Sequence, residues 1–162
     1  MEEIIENYNL AYSTNFKLEI PHVPYANYFL QQVTLPTITN MGQDLYYKHN
    51  QSVTYNNSTE WGPLNVVILM DEDFENYIQL CTWMRSFIDD DDWRNLIKDI
   101  KLHILSSNKS SLLTYTFEGA FPTSMGEVMF DSSVMDTTQI TFNVEFRYQF
   151  MTWEKSVNAP KT

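Results

Sequence analysis

A chain of 162 residues fits one domain with a sizeable core. Its formal charge is −11, and its ten Lys and Arg are scattered, which argues against a nucleic-acid binder that neutralises phosphates with a basic cluster. Cys81 is the only cysteine, so no disulfide forms within the chain, as suits folding in a reducing cytoplasm.

Residues 1–13 are mixed and acidic and lack the basic start and apolar core of a signal peptide. No run approaches the roughly 18 apolar residues of a membrane helix. The expected place of synthesis is a cytoplasm. Phe16, Leu18 and Ile20 alternate with Lys17 and Glu19, which predicts a strand stopped by Pro21 and Pro24. A second strand is predicted over residues 28–35, stopped by Pro36, and the gap between the two is hairpin-sized.

Residues 40–62 hold Tyr46, Tyr47, Val53 and Tyr55 among many Asn, Gln, Ser and Thr, with no clear core face. Two strands with a turn near residues 49–51 suit them. Such a ribbon buries little alone, so residues 43–60 read either as an arm that packs on another subunit or as a long ordered surface loop. Residues 64–70 form a nearly unbroken apolar strand, which fits burial on both faces. Asp71 or Asp73 is the expected cap of a helix over about 73–88, with Glu72 and Glu75 at the positive end of its dipole. Phe74, Tyr77, Ile78, Cys81, Met84 and Ile88 recur at helical spacing, and Leu80, Trp83 and Phe87 widen that stripe.

The run Asp89, Asp90, Asp91 and Asp92 then breaks the pattern. It lacks the spacers, central Gly and terminal Glu of a calcium loop. A short helical turn is expected at residues 93–97, then strands carrying Ile100, Leu102 and Ile104 and, after a turn at 106–111, Leu113, Tyr115 and Phe117. Residues 138–150 read as one long strand, with Ile140, Phe142, Val144, Phe146, Tyr148 and Phe150 on one face at a strict period of two. Residues 154–162 read as a loose tail.

Chemistry is hard to place on this sequence. His22, His49 and His103 lie in separate segments without a second ligand at metal spacing. Cys81 sits in an apolar stripe with no His or Lys at helical spacing, so it reads as a small hydrophobe. No nucleophile elbow or phosphate-binding glycine pattern is present. Glu118 and Glu127 carry no spacing that makes them face each other. No cofactor or metal is expected, and the chain does not read as an enzyme.

The stretch FEGAFPTSMGEVMFD, residues 117–131, resembles the tail tube proteins of contractile-tailed, T-even-like bacteriophages. The matching positions are Gly119, Phe121, Pro122, Thr123, Gly126, Glu127 and Asp131, followed by the long alternating strand. Residues 64–84 resemble the family's central strand, acidic cap and helix. Residues 21–38 resemble its N-terminal hairpin. Pro122 fixes φ and removes an N–H, and Gly126 frees the backbone, so residues 119–126 are expected to reverse the chain between two strands.

The resemblance implies a mainly β subunit, a sandwich or barrel with one flanking helix, as a single domain over residues 1–162. It further implies hexameric rings with a continuous inner barrel, stacked into a tail tube within a virion. Sheath, tape-measure and baseplate proteins would be its partners, and genomic DNA would pass without specific binding. Related folds occur in baseplate tube initiators, tail terminators and the type VI secretion tube protein. A monomeric β-rich binding module is the rival reading. Under the tube reading, Tyr46, Tyr47, Val53 and Tyr55 are candidate interface anchors. Glu19, Glu145 and Asp89 through Asp92 are candidates for an acidic lumen that offers phosphate few partners.

Overall fold

The computed structural model describes residues 13–27, 29–48, 50–89, 92–133 and 139–156. The elements in chain order are β1 (Phe16–Glu19), β2 (Leu30–Thr34), β3 (Ile38–Tyr47), β4 (Asn50–Trp61), β5 (Leu64–Leu69), α1 (Glu75–Asp89), β6 (Lys98–Leu105), β7 (Ser111–Met125), β8 (Thr141–Arg147) and β9 (Phe150–Lys155). Seven strands form one antiparallel sheet in two halves that share β7. The first half runs β1-β6-β7-β9. The second runs from the C-terminal part of β7 through β8 and β5 to β2. The inward faces of both halves share one core: Leu18, Ile100, Leu102 and Phe117 from the first, Leu64, Val66, Ile68, Phe142, Val144 and Phe146 from the second. The mainly β fold with one flanking helix is the one expected from sequence.

The predicted N-terminal hairpin does not form. β1 pairs with β6 and β2 with β5, at opposite ends of the strand order. Residues 24–27 make a 3-10 turn instead, and Ala26 and Val23 beside it are buried. The Asn27 side chain accepts from the Ile20 N–H at 2.9 Å, which turns the chain away from β1 and across the core.

β5 is buried on one face rather than two. Leu64, Val66 and Ile68 are fully buried, while Asn65 is exposed and Val67 and Leu69 are half-buried. The apolar run therefore reflects a central strand with one core face.

The α1 stripe is also rotated from its sequence reading. Its buried residues are Asn76, Leu80 and Trp83, whereas Ile78 and Ile88 are exposed and Cys81 is half-buried. Trp83 fixes this rotation: its ring lies 6.0 Å from Phe146, and its indole N–H donates to the Leu96 carbonyl at 2.9 Å. Asp71 supplies the expected cap, its Oδ1 accepting from the Asn76 N–H at 3.4 Å.

The segment at residues 119–126 bends a strand rather than reversing the chain. β7 continues through it to Met125, leaving β6 and β9 and joining β8. Gly119 takes φ of 62°, a left-handed conformation that a side chain resists. Its N–H donates to the Asp99 carboxylate at 2.9 Å instead of to a ladder partner. Pro122 faces Phe146 just before a register shift, where a missing N–H breaks little of the ladder. Gly126 has no positive φ, and its N–H donates to the Asn143 carbonyl at 2.7 Å.

The long alternating strand ends early. β8 buries Phe142, Val144 and Phe146 and stops at Arg147. After a bend at 148–149 the chain restarts as β9 on the other half-sheet. Phe150 thus faces outward and is 66% exposed. β9 runs to Lys155, so residues 154 and 155 belong to a strand and not to a loose tail.

Candidate assembly surfaces

β3 and β4 form their own two-stranded sheet, separate from the other seven strands. The ribbon is longer than the sequence suggested, residues 38–61 instead of 43–60. At its base the Gly62 N–H donates to the Thr37 carbonyl at 2.8 Å, and the Tyr148 hydroxyl donates to the Gly62 carbonyl at 2.9 Å. Burial raises the Tyr148 pKa above the ordinary phenol value, which keeps that donor protonated. Further out, Tyr46 is 75% and Val53 is 72% exposed. The side chains of Tyr47 and Tyr55 lie outside the described residues. Leu35, Ile38, Tyr115, Met151 and Trp153 line an apolar groove where the ribbon leaves β2.

The acidic candidates fall in three separate places. Glu19 projects from β1 on the outward face of the first half-sheet, 2.6 Å from Lys17 Nζ and 3.6 Å from His103 Nε2. Glu145 lies on the outward face of β8, 3.8 Å from Arg147. Asp89 ends α1, 3.7 Å from Arg85, and Asp92 precedes the short turn at 93–95. Asp90 and Asp91 lie outside the described residues, as does His49.

The hydrogen bond from Lys17 lowers the Glu19 pKa below its ordinary 4.5, helped by the charges of Lys17 and His103 and opposed by slight burial. A carboxylate depressed in the folded state stabilises it above the unfolded pKa, and that contribution fades as pH falls through the folded value. Glu19→Gln is therefore expected to lower stability at pH 7 and to match the unsubstituted protein in strong acid. The difference is small, about 0.2–1 kcal/mol, because the pair is largely solvated. Chemical unfolding at pH 7 and pH 3 checks it, and an equal loss at both values rules the pair out.

Of the turn-motif residues, Phe121 packs 6.0 Å from the Phe87 ring and Thr123 Oγ1 donates to the Glu145 carbonyl at 3.2 Å. Glu127 is exposed beyond β7, and Glu118 accepts from the Thr152 hydroxyl at 3.3 Å. The His22 ring lies tilted against Trp83, with 4.9 Å between centroids. Burial, with Lys98 second, lowers its pKa and favours the neutral ring. Among the described residues no three His, Cys, Asp or Glu side chains converge as a metal site requires, and no helix is long and apolar enough to cross a membrane.

Sequence reasoning missed two features. One is Asn76, fully buried on α1, whose Nδ2 donates to the Leu69 carbonyl at 2.7 Å and ties the helix to β5. Its position four residues before Leu80, on the stripe that also holds Trp83, is the signal that was available. The other is which strands end the sheet among the described residues, β1 and β2 with β9 beside β7, which no sequence pattern reveals.

No family model matches the sequence, and no curated protein matches it. Solved structures do match. A chain in the cryo-EM structure of the anti-feeding prophage tube-terminating cap superposes with a TM-score of 0.70 at 11% identity, over 95% of this chain and 97% of that one. A chain in the sheath–tube complex of an extracellular contractile injection system, PVC, gives 0.67 at 15% identity over 94% and 96%. The crystal structure of an Hcp protein gives 0.53 at 12% identity over 80% and 71%. The chain has the fold of components of contractile injection systems. The type VI secretion tube protein named in the sequence resemblance shares that fold more distantly.

Proposed function

We propose that this protein is a structural subunit of a contractile-system tube, and that its work is self-assembly. Copies close laterally into rings, six per ring by the tail-tube resemblance, and rings stack head to tail in a heterologous contact that extends without closing. In a phage tail the central channel would conduct DNA from the virion into the host. Sheath, baseplate and tape-measure proteins would be its partners, and no catalysis is required of it. A ring terminator or initiator is the second reading, favoured by the likeness to a chain of the anti-feeding prophage cap structure.

The observation that carries the proposal is the β3–β4 ribbon. It exposes Tyr46 and Val53 outside the main sheet, and a two-stranded hairpin is marginal in water without a surface to pack on. Tyr46, Tyr47, Val53 and Tyr55 would be its anchors on a neighbouring copy. Negative-stain electron microscopy of the purified protein over a concentration series tests this. Rings with a central hole, alone or stacked, are expected, and a protein that stays monomeric at high concentration overturns the reading.

A further inference from the structure

We infer that residues 1–12 dock onto their own subunit, in an apolar trough that runs from the start of β1 towards β9. Tyr8, Leu10 and Tyr12 are the side chains that enter it.

The trough exists because the second half-sheet covers only part of the first. Register places Leu102, Tyr115 and Trp153 side by side on the inward face, with Ile104 and Leu113 in the next row. Leu102 is buried, Ile104, Leu113 and Tyr115 are half-buried, and Trp153 is 59% exposed. Phe16 on one side and Val33 and Leu35 on the other wall a space of about 890 Å³ over this floor. At Leu35 and Tyr115 the space runs on into the apolar groove that ends at Trp153. Apolar surface left open to this extent marks a contact site.

The chain brings a segment to the mouth of the trough. Ser13 and Thr14 line it and form a turn, so residues 1–12 depart from its wall. The point of departure is pinned at Asn15. Its carbonyl accepts from the Leu105 N–H at 2.9 Å, and its side-chain amide donates to the Ser106 carbonyl at 3.4 Å. Lys109 Nζ donates to its Oδ1 at 2.8 Å.

Reach and pattern agree with that occupant. From β1 to β9 is three strand spacings, about 14 Å, which an extended chain crosses in roughly five residues. Residues 8–12 are such a stretch. Tyr8, Leu10 and Tyr12 fall at a period of two, in the same parity as Phe16 and Leu18, with Asn7, Asn9 and Ala11 between them. An extended run therefore turns three large apolar side chains to one face.

Charge agrees as well. No charged side chain lines the trough among the described residues. Two cations flank it, Lys109 beside Asn15 and Lys155 opposite Leu113. Residues 1–12 carry Glu2, Glu3 and Glu6 and no Lys or Arg. Tethering gives the segment an effective concentration on the order of millimolar, so docking requires no second copy. The ribbon of another copy is the competing occupant, and its charges, Asp44, Lys48 and Glu60, are mixed. Docked in cis, residues 1–12 cover Leu35 and the base of the ribbon in the free subunit.

Cysteine labelling tests the docking. In a Cys81→Ser background, Leu35→Cys reports on the trough and Ser124→Cys, exposed elsewhere on β7, is the reference. In the otherwise unsubstituted chain Leu35→Cys should react with a maleimide about tenfold more slowly than the reference, at every protein concentration. Equal rates overturn the inference. Protection that disappears on dilution also overturns it, because the cover is then a second copy. Tyr8→Ser, Leu10→Ser and Tyr12→Ser together should abolish the protection with circular dichroism unchanged, whereas Asn7→Ser with Asn9→Ser should keep it. Protection that survives the first set, or is lost equally with the second, removes the assigned side chains. In a chain lacking residues 2–12, added peptide of residues 1–12 should restore the slow rate, and a peptide with the three serines should not. Restoration by both peptides or by neither counts against the docking.

Discussion

Phe146→Ala is expected to lower the unfolding free energy by about 3–5 kcal/mol, whereas Phe150→Ala should change it by no more than about 0.5 kcal/mol. The two residues occupy equivalent places in the alternating stretch, and a reading of periodicity alone gives them equal weight. Phe146 is fully buried, faces Leu64 across β5 and Pro122 across β7, and packs 6.0 Å from the Trp83 ring. It is where β5, the bent part of β7 and α1 meet, so its removal leaves a cavity bounded by three elements that cannot all collapse into it. A domain of ordinary stability, about 5–15 kcal/mol, loses a large share of it. Phe150 is mostly exposed and has little to lose. Urea unfolding followed by Trp fluorescence measures both, with the midpoint falling for Phe146→Ala and the slope unchanged. Similar losses at the two sites would mean that residues 148–149 do not break the strand.

That pair also shows which parts of the fold were legible. Leu18, Ile100, Leu102, Phe142, Val144 and Phe146 were readable as core because strand burial has a period of two and each sits mid-strand. Pairing was not readable. β1 finds β6 more than eighty residues away, and only the tertiary context makes β1 and β2 opposite ends of the sheet rather than a hairpin. Pro122 was noticed for the right physical reason and given the wrong consequence, and the backbone freedom credited to Gly126 belongs to Gly119. A left-handed glycine and a missing N–H end a straight ladder, and here they let one strand leave one half-sheet and enter the other. The helix was placed well in sequence. Its rotation was missed because burying Asn76 needs a partner, the Leu69 carbonyl, that lies on another element. For the assembly surfaces, composition pointed to residues 40–62 because they lack a core face.

Replacing residues 41–58 by Asn-Gly should leave a folded subunit that no longer assembles. Asn40 and Thr59 face each other across the ribbon, and a two-residue Asn-Gly loop closes such a pair in a turn whose twist matches the strands. No residue of the shared core lies within the deleted stretch, and the anchors at Thr37, Gly62 and Tyr148 remain. The β2–β5 connection becomes less than half as long, which favours the folded state by roughly 0.6 kcal/mol through loop closure. The unfolding midpoint should therefore hold or rise slightly. Assembly should fail, because Tyr46 and Val53 leave with the ribbon, and interface energy concentrates in such aromatic and apolar anchors. Sedimentation and electron microscopy of the shortened protein read the outcome beside a Tyr46→Ser, Val53→Ser variant, which keeps the backbone of the ribbon. If both variants lose stacking, the side chains act as anchors. If only the shortened chain does, the ribbon contributes through its backbone or its reach. Tubes that form normally from the shortened chain would show the ribbon to be a surface elaboration, and assembly would then have to run through the sheet edges alone.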